Sequence, residues 1–320
     1  MDFYTNVVQW GNFLLVRGVD NNQRVNFRLK YKPTLFVPVM KKTDWKTLDG
    51  KSVTPYQFDC IKDAKDFLLK YESQPHLVHG LNRFAYTYIS DTFPQKVNWN
   101  IDKILIMTID IEVQCENGFP NPESAIEPLL SITVKNQQSK KIIVWGIQPY
   151  KNTREDVTYI RCPNEHDLIM EFMSFWTKNY PDVITGWNTD FFDVPYLANR
   201  IKKVCGEDKM RELSPWKNVS SKQIYSMGRN HLMYDIMGVS QYDYLQLYQK
   251  FTYTRQESYK LDYIASVELG EKKDENPYET FREWYENDFQ SFIDYNIQDV
   301  EIVDKLEDKM GLIDLALTMA

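Results

Sequence analysis

Apolar and polar residues alternate along the first forty positions in four short runs, FYTNVVQW, FLLVRGV, RVNFRLKY and TLFVPVM. A period of two predicts β-strands. The tetrapeptide DNNQ between the second and third runs supplies residues that tolerate a tight turn. In DCIKDAKDFLLKYES the apolar residues Ile61, Ala64, Phe67 and Leu68 recur at helical spacing. The stretch FPQKVNWN then reads as a connection, which predicts a boundary near residue 100. Residues 1–100 would form a smaller, strand-rich α+β domain and residues 101–320 a larger one.

In the second part, strands are predicted at KILIMTIDIEV, LLSITVK and KKIIVWGI, the last two joined by a polar NQQS turn. A helix follows at EHDLIMEFMSFWTKNY, with an apolar stripe at Leu168, Ile169, Phe172, Phe175 and Trp176, then strand DVITGW and helix DVPYLANRIKKV. This order suggests an α/β fold, a mixed sheet flanked by helices. SSKQIYSMGRNHLMYDI alternates and reads as a protruding hairpin near 219–236, with Gly228 in its turn. The last third is helical and ends in NDFQSFIDYNIQDVEIVDKLEDKM. No run of about 18 apolar residues predicts a membrane span. The opening MDFYTNVVQW lacks the basic-then-apolar order of a signal peptide.

One strand breaks its own pattern. Asp110 and Glu112 sit two apart in an otherwise apolar run, so both point to one face, where each raises the cost of ionising the other. On the last helix the stripe is Phe289, Phe292, Ile293, Val300 and Val303, and Asp299 lies within about 20° of Phe292 on the wheel. Tyr295, one turn earlier, shares that side, whereas Asp294 and Asp304 are expected to face water. No Lys or Arg lies within a turn of Asp299 on its face, so this core-directed acid needs a partner or a metal. Asp193, just past a strand end, is on its own most simply a helix N-cap ahead of Pro195. Two acids on a strand can be a solvated face, and one inward Asp can be a salt-bridged group. The four together ask for divalent cations, Mg²⁺ or Mn²⁺.

Composition narrows the rest. Apolar residues make up 43% and charged residues 26%, which is globular. Net charge is −7, but residues 1–100 carry 14 Lys and Arg against 9 Asp and Glu, and the remainder 24 against 36. The acidic whole argues against non-specific duplex binding, while the basic first third leaves room for a nucleic-acid contact there. Four scattered cysteines with no CxxC pair argue against a zinc site or disulfide framework and fit a reducing compartment.

TIDIE, GWNTDFFDVPY and YNIQD together resemble the three exonuclease motifs of family B DNA polymerases. DIEVQCENGFPNP, SYKLDYIASVEL and YKPTLFVPV are similar to the T-even-type phage branch. The resemblance implies an RNase H-like exonuclease domain that removes nucleotides from a 3′ end of single-stranded or frayed DNA. It implies Asp110, Glu112, Asp193 and Asp299 as metal ligands for two cations, with Tyr295 positioning the attacking water. Asp110, Glu112 and Asp299 would share one cation, and Asp193 would support the second together with Asp110. A sister class carries His five residues before the last Asp; here that position is Asp294. The resemblance also implies that Phe119 and Asn188 hold terminal bases and that the hairpin around Gly228 helps part primer from template. For Phe119 the base-holding role is the favoured reading, and a core position under its Pro-containing loop is the alternative.

The sequence stops at Ala320, before the palm, fingers and thumb that the resemblance would place next. The expectation is therefore no DNA synthesis by this chain alone. It would be an excised fragment, or one chain of a split polymerase whose partner supplies the rest. The apolar end GLIDLALTM would be a docking site for the missing structure, and the segment near 148–160 looks shorter than the resemblance implies, as if a surface helix were trimmed there without loss of chemistry. The expected location is the cytoplasm of an infected bacterium. A non-catalytic nucleic-acid-binding or polymerase-docking module is the alternative.

Overall fold

The structure, a computed structural model, describes all residues except 116–117, 227, 272–275 and 320. The chain divides into two compact units, Met1–Lys103 and Ile104–Ala320.

In the first unit, β1 (Phe3–Trp10), β2 (Phe13–Asp20) and β3 (Gln23–Lys30) form an antiparallel sheet in that order. Asn21 and Asn22 make its second turn with φ of 49° and 62°, the left-handed pair that a two-residue hairpin demands. A separate antiparallel pair joins β4 (Thr34–Pro38) to β5 (Val53–Gln57). Helices α1 (Ile61–Lys70) and α2 (Phe84–Thr92) follow. Leu14, Val16, Leu35, Ile61, Ala64 and Phe84 form the core.

The second unit begins with β6 (Ile106–Val113), β7 (Leu129–Asn136), β8 (Ile142–Gly146) and β9 (Val157–Arg161). Then come α3 (Glu165–Lys178), β10 (Val183–Gly186), α4 (Asp193–Cys205) and α5 (Glu207–Arg211). The hairpin is β11 (Val219–Ser226) with β12 (Arg229–Ile236), followed by β13 (Ser240–Asp243). Five helices close the unit: α6 (Tyr244–Phe251), α7 (Leu261–Leu269), α8 (Phe281–Asn287), α9 (Phe289–Met310) and α10 (Leu312–Met319).

Six strands make one mixed sheet in the order β13-β10-β6-β7-β8-β9. β13, β10 and β6 run parallel, β6–β7 and β7–β8 are antiparallel, and β9 lies parallel to β8. Alternation divides the strands between two cores. Met107, Ile109, Ile111, Ile132, Val134 and Trp145 pack with α3 and α4. Ile142, Val144 and Val157 pack with Phe292, Ile293, Ile297 and Val300 of α9.

Three expectations need correction. β5, β9 and β13 were not predicted: each is short, and β9 and β13 lie at the edges of the six-stranded sheet. Asp304 does not face water. It is buried and paired with Lys135 of β7 at 2.9 Å and with Lys140 at 2.8 Å, because this part of α9 also packs against β7. The apolar end is partly covered already: Leu312 and Ile313 of α10 are buried, whereas Leu315 and Met319 are exposed. Asp294 is exposed, as expected, and accepts a hydrogen bond from the Tyr150 hydroxyl at 2.7 Å.

A second buried ion pair fixes the loop ahead of β7. Arg200 of α4 grips Glu165 of α3 with two bonds, Nε to Oε1 at 2.6 Å and Nη2 to Oε2 at 2.7 Å. Its Nη1 donates to the carbonyls of Ala125 and Ile126, and Glu165 accepts the Leu129 amide. Ala125 has φ of 40°, so this network holds a strained turn as well as two charges. Arg200→Met leaves the partly buried Glu165 without its cation, and should lower the unfolding free energy by up to about 3 kcal/mol in a urea titration. A change below about 1 kcal/mol would show that the pair is not stabilising the fold.

Candidate active site

On β6, Asp110 stands opposite Thr133 of β7 and Glu112 opposite Ser131. These polar positions share one sheet face with Lys135, because side chains two apart point the same way. α9 covers that face. Asn296 and Asp299, three residues apart and so on one side of the helix, are both buried there. One carboxylate oxygen from each of Asp110, Glu112 and Asp299 lies within 4.8 Å of the others. Asn296 Nδ2 donates to Asp110 Oδ2 at 2.5 Å, and its Oδ1 accepts the hydroxyls of Ser131, at 3.0 Å, and Thr133.

Asp193 approaches the same cleft from the loop after β10, but it is not one of the grouped three. It is the first residue of α4, the N-cap position is Phe192, and no side-chain cap bond forms there. Instead, Asp193 Oδ1 accepts the backbone N–H of Ile111 at 3.1 Å. Burial pushes the Asp193 carboxyl well above the usual carboxylate range, against the pull of that N–H. The N-cap expectation thus gives way to a tie between α4 and β6.

Gly186 ends β10 where no side chain fits: a Cβ there would lie 2.5 Å from the Ile109 carbonyl oxygen. Asn188 follows with φ of 66°, a left-handed backbone that Asn accepts more readily than most residues. The turn is wrapped on Asp243, the last residue of β13, whose Oδ1 accepts the amides of Asn188 at 3.0 Å and Leu245 at 2.9 Å. Its Oδ2 accepts the Asp190 amide at 3.2 Å.

The cleft has a volume of about 660 Å³, and Asp110, Glu112, Asp193 and Asp299 share its lining with Tyr295 and Arg282. The Tyr295 ring packs on Trp284 at 4.9 Å and Phe281 at 6.2 Å between centroids. Phe119 and Asn188 also line it. Phe119 is not a core residue: it is 81% exposed, with its ring 4.9 Å from that of Phe192. Glycine at 228 suits the hairpin turn (φ 80°) but does not line the cleft; its neighbour Met227 lies outside the described residues, as do Glu116 and Asn117 of DIEVQCENGFPNP.

Sequence reasoning missed Asn296, Ser131, Thr133 and Asp243. A signal existed for the first three. Asn296 falls one turn before Asp299, and Ser131 and Thr133 are the polar alternates of an apolar strand. Asp243 had none, since its strand was not predicted.

A mixed sheet with helices on both faces, carrying grouped carboxylates on a central strand beneath a helix, defines an RNase H-like exonuclease domain. Residues 81–264 match the family model for the exonuclease domain of DNA polymerase family B, and the chain belongs to that family. It is 33% identical to the DNA-directed DNA polymerase of Escherichia phage RB69, over 99% of this chain and 38% of the relative. The corresponding polymerase of Enterobacteria phage T4 is 32% identical, over 100% of this chain and 38% of that protein. The DNA polymerase delta catalytic subunit of Candida albicans is 28% identical over 57% of this chain and 18% of its own. The chain thus spans about two fifths of the phage relatives. Three carboxylates grouped this closely are hard oxygen donors of the kind a divalent cation takes. No helix among the described residues is long and apolar enough to cross a membrane.

Asp190 offers a test of how charge is stored under this loop. It is 5% exposed, its Oδ2 accepts Gln246 Nε2 at 2.8 Å, and burial, then Asp243, push its carboxyl up to about 7; Gln246 and Lys222 pull the other way. Its ordinary value is 3.8. Below that both states are protonated and nothing is lost. Between 3.8 and about 7 the unfolded chain ionises first, so stability falls as pH rises, then levels off. Asp190→Asn should match the parent near pH 4 in urea midpoints taken in chelator, and exceed it above pH 7. Equal midpoints at pH 8 would contradict the shift.

Proposed function

We propose that the chain is a metal-dependent 3′→5′ exonuclease acting on single-stranded or frayed DNA ends, the proofreading portion of a family B DNA polymerase. The observation that carries this reading is the grouping of Asp110, Glu112 and Asp299 within 4.8 Å, in a cleft that also presents an exposed aromatic ring. Two divalent cations, Mg²⁺ or Mn²⁺, held by these three residues and by Asp193, would supply a deprotonated water and neutralise charge on the phosphate.

The protein's own groups do the rest. Tyr295, braced against Trp284 and Phe281, orients the attacking water through its hydroxyl. Water oxygen bonds to phosphorus while the bond to the 3′ oxygen of the preceding nucleotide breaks. That oxygen takes a proton, and a 5′-mononucleotide leaves. Phe119 stacks on a terminal base, a contact worth about 1–3 kcal/mol and tolerant of sequence. Asn188, held in its left-handed turn by Asp243, meets the same end of the strand. The hairpin with Gly228 at its turn helps part the primer end from its template. The basic surplus of residues 1–100 suits a further nucleic-acid contact. DNA synthesis is not proposed for these 320 residues. Palm, fingers and thumb, in trans or in a longer chain, are the proposed partner, and the proposed place of action is the cytoplasm of an infected bacterium.

A 5′-labelled single-stranded oligonucleotide should shorten from its 3′ end in Mg²⁺ and stay intact in excess chelator. Asp110→Ala and Asp299→Ala should each lose more than about 100-fold in rate while keeping the parent's circular dichroism. Parental rates in both variants would falsify the assignment. Phe119→Ala should raise KM about tenfold and leave kcat close to the parent's, if stacking is its contribution; an unchanged KM would remove Phe119 from the binding site.

A further inference from the structure

Asn296 is a fully buried polar side chain that the chemistry proposed above leaves unused. It lies where α9 meets β6 and β7, and it bonds to both strands. Its Oδ1 accepts two hydroxyls of β7, from Ser131 at 3.0 Å and from Thr133, and its Nδ2 donates to Asp110 Oδ2 at 2.5 Å. The two ends of an amide differ in polarity. With the amide reversed, Oδ1 would face the anionic oxygen of Asp110. The carboxylate, which only accepts, therefore fixes the donor end toward Asp110, and the two hydroxyls, which can donate, satisfy both lone pairs of Oδ1.

We infer that Asn296 is a positioning residue for cation binding: it holds the Asp110 carboxylate facing Glu112 and Asp299 without cancelling its charge. This rests on the reading of Asp110 as a cation ligand. The same helix and strand supply an internal comparison. Two turns further along α9, Asp304 meets Lys135 of β7 as a buried ion pair at 2.9 Å. There the anion is neutralised by a lysine, which suits a fixed structural contact. At Asp110 the bond from α9 comes instead from a neutral amide. A lysine in that place would orient the carboxylate equally well but would repel the incoming cation and compete for its ligand oxygen. An amide hydrogen takes one acceptor site of Oδ2 and, unlike an ammonium, adds no positive charge that would repel a cation. Groups that orient ligands in this way typically change metal affinity 10- to 100-fold when removed.

Thr133 completes the device. It stands directly opposite Asp110 in the β6–β7 ladder, so Thr133, Asn296 and Asp110 form a closed path from one strand through the helix to the next. Side-chain rotation at Asp110 therefore requires breaking a bond on α9, and rotation of the amide requires breaking two on β7.

The test is a Mn²⁺ titration of the metal-free chain by calorimetry, with thermal melting in chelator on the same samples. Asn296→Ala should weaken Mn²⁺ binding about 10- to 100-fold. Thr133→Val, which keeps shape and removes one restraint on the amide, should weaken it by a smaller factor in the same direction, with melting close to the parent's. A merely structural Asn296 would shift melting and leave Mn²⁺ affinity alone. Affinity within about twofold of the parent in Thr133→Val and in folded Asn296→Ala, with binding abolished in Asp110→Ala, would overturn the inference and leave the cation reading standing. Unchanged binding in Asp110→Ala would remove the cation reading and this inference with it. Should Asn296→Ala not fold, Thr133→Val alone decides.

Discussion

Like charges gathered on the buried face of a sheet are the constraint around which the larger unit is organised. Asp110 and Glu112 share a face of β6, and α9 closes over it with Asp299 and Asn296. Taking carboxylates out of water side by side is expensive, and the cost rises as the helix excludes solvent. The face can be covered only if the covering helix is polar there and apolar elsewhere. α9 meets that condition: Phe292, Ile293, Ile297 and Val300 pack on one side of the cluster, and Asp304 is pinned to Lys135 on the other. The opposite face of the sheet is apolar against α3 and α4, which gives the cluster a rigid support.

A second set of buried anions shapes the loop that completes the cleft. Asp243 is nearly inaccessible, and burial raises its carboxyl, but backbone amides of Asn188, Asp190 and Leu245 all point at it. Those donors offset desolvation and at the same time dictate the path of the turn from Gly186 to Asp193. Asp193 is then drawn onto the amide of Ile111, beside the acids of β6. The same logic recurs at Glu165, where a guanidinium and a backbone amide fix the strained loop around Ala125. In each case a buried carboxylate acts as an organiser of backbone, and the loops near the cleft owe their positions to it.

Much of this was legible because the pattern is local. Periods of two and 3.6 located β1 to β4, β6 to β8, α1, α3, α4 and α9, but not β5. Asp110 and Glu112 broke an apolar strand visibly, and Asp299 fell on the apolar side of its helix. Phe119 was not legible in the same way. Its role came from the resemblance and not from a period, and its ring is exposed against Phe192, not packed in the core position that stood as the alternative. β9 and β13 escaped because a five-residue and a four-residue edge strand carry too little periodicity to stand out from a connection. Asp304 misled because its partner, Lys135, is 169 residues away in the chain and nothing on the helix itself announces it.

The sequence by itself determined which residues could not be ordinary: acids in apolar surroundings, at spacings that put them on single faces of a strand and a helix. That follows from covalent periodicity alone. Tertiary structure decided which of them meet. Only the register of β6 on β7, with α9 laid across both, places Asn296 between two hydroxyls and Asp110, and only the parallel placement of β13 beside β10 puts a carboxylate under the turn at Asn188. Such contacts join residues far apart along the chain, so their physics lies in the packing, where no local pattern records it.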